Sequence, residues 1–72
     1  MKKTYKIEVD CPNCANKMEM AVSKVQGVKG VSVNFMAQKI TIEFEEGAIE
    51  REVLINAKKA SKRVEEDIEI YF

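Results

Sequence analysis

The apolar residues of this chain switch four times between two spacings, and this switching constrains the fold more than any other feature. Tyr5, Ile7 and Val9 alternate with charged residues, a pattern typical of a strand covered on one face. After Cys14 the spacing becomes helical and ends before Gly27. The same criteria predict three further strands and one further helix: strands around Val31–Phe35, Ile40–Phe44 and Ile68–Phe72, and a helix over Ile49–Ala60.

The predicted order is strand, helix, strand, strand, helix, strand. This order predicts an α+β fold, the ferredoxin-like βαββαβ sandwich, in which a four-stranded antiparallel sheet carries two helices on one face. Each predicted strand has one apolar and one polar face, which a sheet covered on one side requires. At 72 residues the chain has room for one domain, spanning residues 1–72. Met18 is predicted to lie in its core, and Met20 and Met36 at its surface.

The charge and the apolar runs of the chain argue against several classes of protein. Twelve basic and twelve acidic side chains cancel, so there is no electrostatic reason to expect nucleic acid or an anionic membrane surface as a partner. No apolar run is long enough to span a bilayer, and the first residues do not resemble a secretion signal. We therefore expect a cytoplasmic protein without direct membrane insertion. Because the chain has no His, it lacks the usual general base, and we expect a binding domain rather than an enzyme.

Two cysteines, Cys11 and Cys14, lie at the junction of the first predicted strand and the first predicted helix. A helix N-terminus offers unpaired N–H groups and the positive end of a dipole, which stabilise thiolates. The two-residue spacing lets both sulfurs face one ion, and thiolates select soft ions such as Cu(I), Zn(II) and Cd(II). A closed structural zinc site uses four ligands, whereas this chain has no second CxxC pair. We therefore expect an open site on a monomer, or one shared between two copies through the metal ion.

The spacing of the cysteines also fits a thiol oxidoreductase. Cys11-Pro12-Asn13-Cys14 resembles the active-site pattern of the glutaredoxins, which have Cys-Pro-aromatic-Cys after a first strand. Those enzymes carry a second proline beside their cysteines, whereas Pro12 is the only proline of this chain. The predicted order of elements after the first helix also differs from theirs. Dithiol–disulfide chemistry is therefore the alternative from a different functional class.

Three segments together resemble the heavy-metal-associated domain. Val9–Glu19 resembles the family's metal loop and first helix, Val25–Val28 its Gly-Val turn, and Val31–Phe35 its Val-Asn strand. The family has the βαββαβ fold and includes copper metallochaperones and the cytoplasmic N-terminal domains of metal-exporting P-type ATPases. The resemblance, which covers Thr4–Lys62, implies that the two cysteines are the metal-binding thiolates. It also implies a partner: a metal-transporting ATPase, in the same chain or a separate one, or a metallochaperone.

The residue before Cys11 bears on the choice of metal. Copper members of the family usually have Gly-Met-Thr or Gly-Met-Ser immediately before the first cysteine. Zinc, cadmium and lead exporters commonly have Asp directly before it, and this chain has Asp10 in that position. Two thiolates and one carboxylate around a divalent ion give a site with a net charge of −1, whereas the same ligands around Cu(I) give −2. Carboxylates also suit Zn(II) better than Cu(I). The resemblance therefore favours Zn(II) or Cd(II), with Asp10 as a third ligand, in an exporter domain that passes the ion on by thiolate exchange. The alternatives are a free-standing Cu(I) metallochaperone, and an Asp10 that only caps the following helix or turn.

Lys62 is the last candidate site residue. The segment Ala60-Ser61-Lys62-Arg63 resembles the Thr-Gly-Lys of some metallochaperones. The resemblance implies that Lys62 lies near the metal, outside its ligands, and offsets the negative charge of the thiolates. A solvated lysine at the end of a helix is the other interpretation.

Overall fold

The computed structural model describes all residues from 1 to 72 and contains four strands and two helices. Along the chain these are β1 (Lys2–Glu8), α1 (Pro12–Ser23), β2 (Val28–Asn34), β3 (Lys39–Phe44), α2 (Glu50–Val64) and β4 (Glu69–Tyr71). The strands form one antiparallel sheet in the order β2-β3-β1-β4, and the helices pack on its apolar face. The predicted element order and fold class are confirmed.

The structure differs from the prediction at several element ends: α2, for example, continues to Val64, four residues beyond the predicted Ala60. The first helix begins at Pro12, two residues before the predicted start, because Cys11 provides its cap. The first strand ends at Glu8, so Val9 leaves the strand although its side chain remains buried. The last strand pairs with β1 over only three residues, and Phe72 lies beyond it with 56% of its surface exposed. This strand was predicted to extend to Phe72, and that end of the prediction is wrong.

One layer of apolar side chains fills the space between the sheet and the helices. Every second residue of the strands points into it, and this alternation buries Ile7, Ile40, Ile42 and Ile70. Removing each of these side chains from water contributes roughly 1.5–3 kcal/mol. A slip of one residue in the strand register would turn a whole set of them to solvent. The alternation therefore selects one register.

The helices complete this layer with residues at helical spacing. The buried apolar residues are Ala15, Met18 and Val22 in α1, and Val53, Leu54 and Ala57 in α2. Met18 has no exposed surface, as predicted, whereas Met20 and Met36 are 62% and 89% exposed. Neither helix is long and apolar enough to cross a membrane.

Glu50, in the first turn of α2, ties that helix to β1. Its carboxylate accepts a hydrogen bond from the Tyr5 hydroxyl at 2.8 Å and lies 2.9 Å from the Lys3 ammonium. The hydrogen bond from Lys3, followed by that from Tyr5, lowers the pKa of Glu50. Burial, followed by the bond to Glu50, raises the pKa of Tyr5 to about 12. The carboxylate also lies at the positive end of the helix dipole, so the start of α2 is doubly stabilised.

Three of the loops that connect strands and helices lie at one end of the sheet. Because β1 runs antiparallel to both neighbours, with Lys6 opposite Lys39 and Glu8 opposite Glu69, the end of β1 lies beside the starts of β3 and β4. The segment between β1 and α1, residues 9–11, is called the entry loop below. It therefore shares this end of the sheet with the β2–β3 loop and the α2–β4 loop.

Two glycines with positive φ differ in how closely their turns pack against α2. Gly27 has φ +95°, and a Cβ there would lie 2.7 Å from Val53 Cγ2, whereas Gly47 has φ +83° and no atom within 4 Å of such a Cβ. Gly47→Ala should therefore cost only backbone strain, about 1–2 kcal/mol. Gly27→Ala should cost about 2–4 kcal/mol, because the clash with the helix adds to the same strain.

Urea unfolding of the two variants measures this difference, and Gly47→Ala serves as the control for strain alone. Equal destabilisation by the two substitutions would mean that α2 shifts away from residue 27 without cost, contrary to the packing described.

Candidate metal centre

Cys11 caps the first helix. Its backbone is extended, with φ −143° and ψ 150°, and its Sγ accepts the N–H of Cys14 at 3.1 Å. Pro12 follows at the first helical position, where its missing N–H leaves no donor unpaired. Asp10 lies one residue before the cap, so the interpretation that Asp10 caps the helix is wrong. The sulfur of Cys11 holds that place.

The cap geometry brings the two sulfurs together. Cys11 Sγ and Cys14 Sγ lie 2.8 Å apart, both thiols are free, and both residues are half-buried. Cys14 packs against the edge of the apolar core. The sulfurs therefore occupy one point on the surface, supported from below by the core.

The two thiols differ in acidity. The hydrogen bond between the thiols lowers the pKa of Cys11 most, and the N–H groups of Cys14 and Asn13 lower it further. The same bond raises the pKa of Cys14, and burial and the negative charge on Cys11 add to the rise. The first proton of the pair therefore leaves Cys11, and the second must leave Cys14 against the charge of the first.

Two charged residues act on the thiols from outside the pair. Lys17 lowers the pKa of both thiols, and Glu65 raises the pKa of Cys14. Neither residue was predicted from the sequence. Lys17 could have been found, because it follows Cys14 by three residues and so lies on the same face of α1. Glu65 gives no local signal, because only the packing of the elements brings the end of α2 to this site.

Lys62 is engaged with acidic and carbonyl groups. Its Nζ donates to Glu69 Oε2 at 2.7 Å and to the Glu66 carbonyl at 3.3 Å. The ion pair lowers the pKa of Glu69. Part of the ammonium charge is therefore compensated within the protein, and a role of Lys62 in offsetting thiolate charge stays a prediction.

Asp10 is exposed in the entry loop. No three Cys, Asp, Glu or His side chains lie together so that they could hold a metal ion, so the carboxylate of Asp10 is not grouped with the two sulfurs. A role for Asp10 as third ligand requires its side chain to turn toward the cysteines. That role stays a prediction.

Comparison with known sequences identifies relatives over most of the chain. The sequence model of the family described as "Heavy-metal-associated domain" matches residues 4–66. The cadmium, zinc and cobalt-transporting ATPase of Bacillus subtilis (strain 168) is 31% identical over 71 residues, which are 97% of this chain and 10% of the ATPase. The chain also spans between 24% and 39% of the length of the heavy metal-associated isoprenylated plant proteins of Arabidopsis thaliana that it matches.

Comparison with solved structures gives the same fold. The CopZ metallochaperone superposes with a TM-score of 0.76 at 15% identity, covering 99% of this chain and all of CopZ. The N-terminal domain of a potential copper-translocating P-type ATPase from Bacillus subtilis, in its Cu(I)-loaded state, also gives a TM-score of 0.76. It is 26% identical, with 99% of this chain and 84% of that one covered. Both superpositions support the βαββαβ fold over almost the whole chain.

Lys17→Gln should raise the pKa of both thiols, because it removes a cation that lowers them. At a pH near the pKa of Cys11 the thiolate fraction then falls, and alkylation by iodoacetamide should slow about two- to fivefold, the size expected of an exposed charge interaction. The pH dependence of the alkylation rate measures the effect, which added salt should reduce.

Lys62→Gln is the matched control, since it removes the same charge from a lysine that is paired with Glu69. We expect the cysteines of this variant to be alkylated at the wild-type rate. If Lys62→Gln slowed the reaction as much as Lys17→Gln, the thiols would depend on Lys62 as well, as its sequence position predicts.

Proposed function

Because the chain belongs to the heavy-metal-associated domain family, a family of metal-binding domains, we propose that Cys11 and Cys14 bind a soft metal ion and pass it to a partner by thiolate exchange. The observation that carries this proposal is the pair of free sulfurs 2.8 Å apart at the N-terminus of α1. Two convergent thiols of unequal acidity, half-exposed to solvent, are the donor set that soft ions prefer.

The site suits an ion that is carried rather than stored. Two sulfurs are preformed and no third acidic or thiol ligand is gathered with them, whereas a structural zinc site is closed by four ligands. Zinc–sulfur bonds of about 2.3 Å at a tetrahedral angle hold two sulfurs about 3.8 Å apart. The pair therefore has to open by about 1 Å on binding, which rotation of two half-exposed side chains allows.

Thiolate exchange follows from the acidity of the pair. The incoming ion binds the Cys11 thiolate first, and its positive charge then drives the proton of Cys14 to water. A thiolate of the partner enters the open coordination sphere and forms a bond to the ion, after which one cysteine of this chain leaves and regains a proton. The ammonium of Lys17 offsets part of the negative charge while three thiolates share the ion.

As the finer proposal, this chain is the cytoplasmic N-terminal domain of a Zn(II)- or Cd(II)-exporting P-type ATPase. Two observations support it. The ATPase of Bacillus subtilis that transports cadmium, zinc and cobalt matches nearly the whole chain. Asp10 also directly precedes Cys11 in the sequence, and its carboxylate, once turned toward the thiolates, would favour a divalent ion over Cu(I).

The second candidate is a free-standing Cu(I) metallochaperone. The likeness to the Cu(I)-loaded ATPase domain, which at 26% identity covers 99% of this chain, favours Cu(I), the ion of this candidate. The two candidates differ in the ion that two thiolates hold most tightly, so metal titration separates them.

Cys11→Ser and Cys14→Ser should each reduce metal affinity by more than the roughly 10–100-fold that loss of an outer partner costs, because each removes a ligand. Competition titrations with Zn(II), Cd(II) and Cu(I) against chromophoric chelators measure the affinities. Met36→Leu is the control, since it removes a sulfur that is 89% exposed and outside the pair.

Unchanged metal affinity in both Ser variants would mean that the two cysteines are not the metal site. Disulfide exchange with a glutathione mixed disulfide, at the same rate with and without metal, would instead support the thiol oxidoreductase.

Asp10→Asn should reduce the affinity for Zn(II) and Cd(II) about tenfold, or roughly 1.4 kcal/mol, and leave that for Cu(I) nearly unchanged, because the carboxylate charge favours the divalent ion. Glu46→Gln is the control: it removes another exposed charge, from the turn after β3 at the opposite end of the sheet. Equal losses for all three ions, or none, would remove the support that Asp10 gives to a divalent cargo.

A further inference from the structure

The β2–β3 loop contains the one non-glycine residue of the chain with positive φ. Gln38 has φ 54°, a left-handed conformation that glycine and asparagine adopt more readily than glutamine. Such strain persists where the surrounding contacts hold it in place. Two of the contacts that Gln38 makes are with the segment that leads from β1 into the cysteine pair.

Gln38 bonds to the end of β1 through its main chain and to the entry loop through its side chain. Its carbonyl oxygen accepts the N–H of Ile7 at 3.0 Å, and its side-chain Oε1 accepts the N–H of Val9 at 2.8 Å. Its Nε2 donates to the Phe35 carbonyl at 2.7 Å, which fixes the orientation of the amide. The ladder between β1 and β3 ends at Lys6, so Gln38 continues the pairing of the chain after the ladder has stopped.

The bond to Val9 lies two residues before Cys11. Val9 is the first residue of the entry loop, its side chain is 5% exposed, and its N–H would otherwise lose a partner in a largely buried place. On its other side, Cys11 is fixed by the N–H of Cys14. The entry loop is thus held at both ends, and Asp10 is the residue between these two attachments.

We propose that Gln38 is a positioning residue for the metal site: through Val9 it sets where the entry loop presents Cys11 and Asp10. This inference rests on the proposed function, since it concerns the same cysteine pair. With its left-handed backbone, Gln38 directs its carbonyl to Ile7 of β1 and its side-chain amide to Val9 of the entry loop. The length of the glutamine side chain then spans the gap to Val9, which asparagine, one methylene shorter, does not.

Gln38→Asn is the informative variant, because Asn tolerates the left-handed backbone and keeps the main-chain bond to Ile7 but cannot reach Val9. Asn34→Ala is the matched control: it breaks another side-chain bond of the same hairpin, the one that the Ala37 N–H donates to Asn34 Oδ1, without touching β1. Two measurements are made on each protein. The first is amide hydrogen exchange at Val9 without metal, and the second is Cd(II) affinity together with the rate of Cd(II) loss to a chelator.

In Gln38→Asn we expect Val9 exchange to be about tenfold faster, the effect of one ordinary hydrogen bond on a local opening equilibrium. We expect Cd(II) affinity to fall several-fold and Cd(II) loss to be faster, with both at wild-type values in Asn34→Ala. Unchanged Val9 exchange would overturn the proposal, and so would faster exchange with unchanged Cd(II) affinity, which would leave Gln38 a purely structural role.

Failure of the proposed function is recognised separately. In that case neither the wild-type chain nor Asn34→Ala would bind Cd(II), Zn(II) or Cu(I), and the positioning role would fall with it.

Discussion

The packing of two helices on one face of the sheet supports every other feature of this molecule. Ile7 lies on the central strand β1 and Met18 on the first helix, and both are essentially without exposed surface. Each contributes roughly 1.5–3 kcal/mol through burial. Since these two anchors lie on either side of the entry loop, the short chain between them has little freedom. The cysteine pair is therefore placed by a core that it barely enters.

On this rigid base the chemistry of the site is decided by very few bonds. The sulfur of Cys11 caps α1 by accepting the N–H of Cys14, and this one hydrogen bond both starts the helix and stabilises a thiolate. The second thiol keeps its proton longer because its hydrogen bond with the first, followed by burial, raises its pKa. A pair whose two thiols differ in acidity suits a cargo that must be accepted and released, since each exchange step forms and breaks a single metal–sulfur bond.

The parts of the fold that the sequence predicted are those set by local periodicity. Alternation predicted which residues of β3 are buried, Ile40, Ile42 and Phe44, because strand geometry sends every second side chain to the same face. The end of the chain was predicted less well. Phe72 continues the alternation of β4, but no strand pairs with it there, so it lies exposed. Periodicity reports which faces are apolar, whereas the length of a strand depends on its partner.

By itself, the sequence determined the element order, the core and the two cysteines at the start of α1, because spacing and helix capping act over a few neighbouring residues. Only the tertiary structure decided what surrounds those cysteines. The strain and reach of Gln38, the charge of Glu65 and the pairing of Lys62 with Glu69 come from segments distant in sequence that share one end of the sheet. Antiparallel pairing of β1 with both β3 and β4 brings them there, and no local pattern encodes such a meeting.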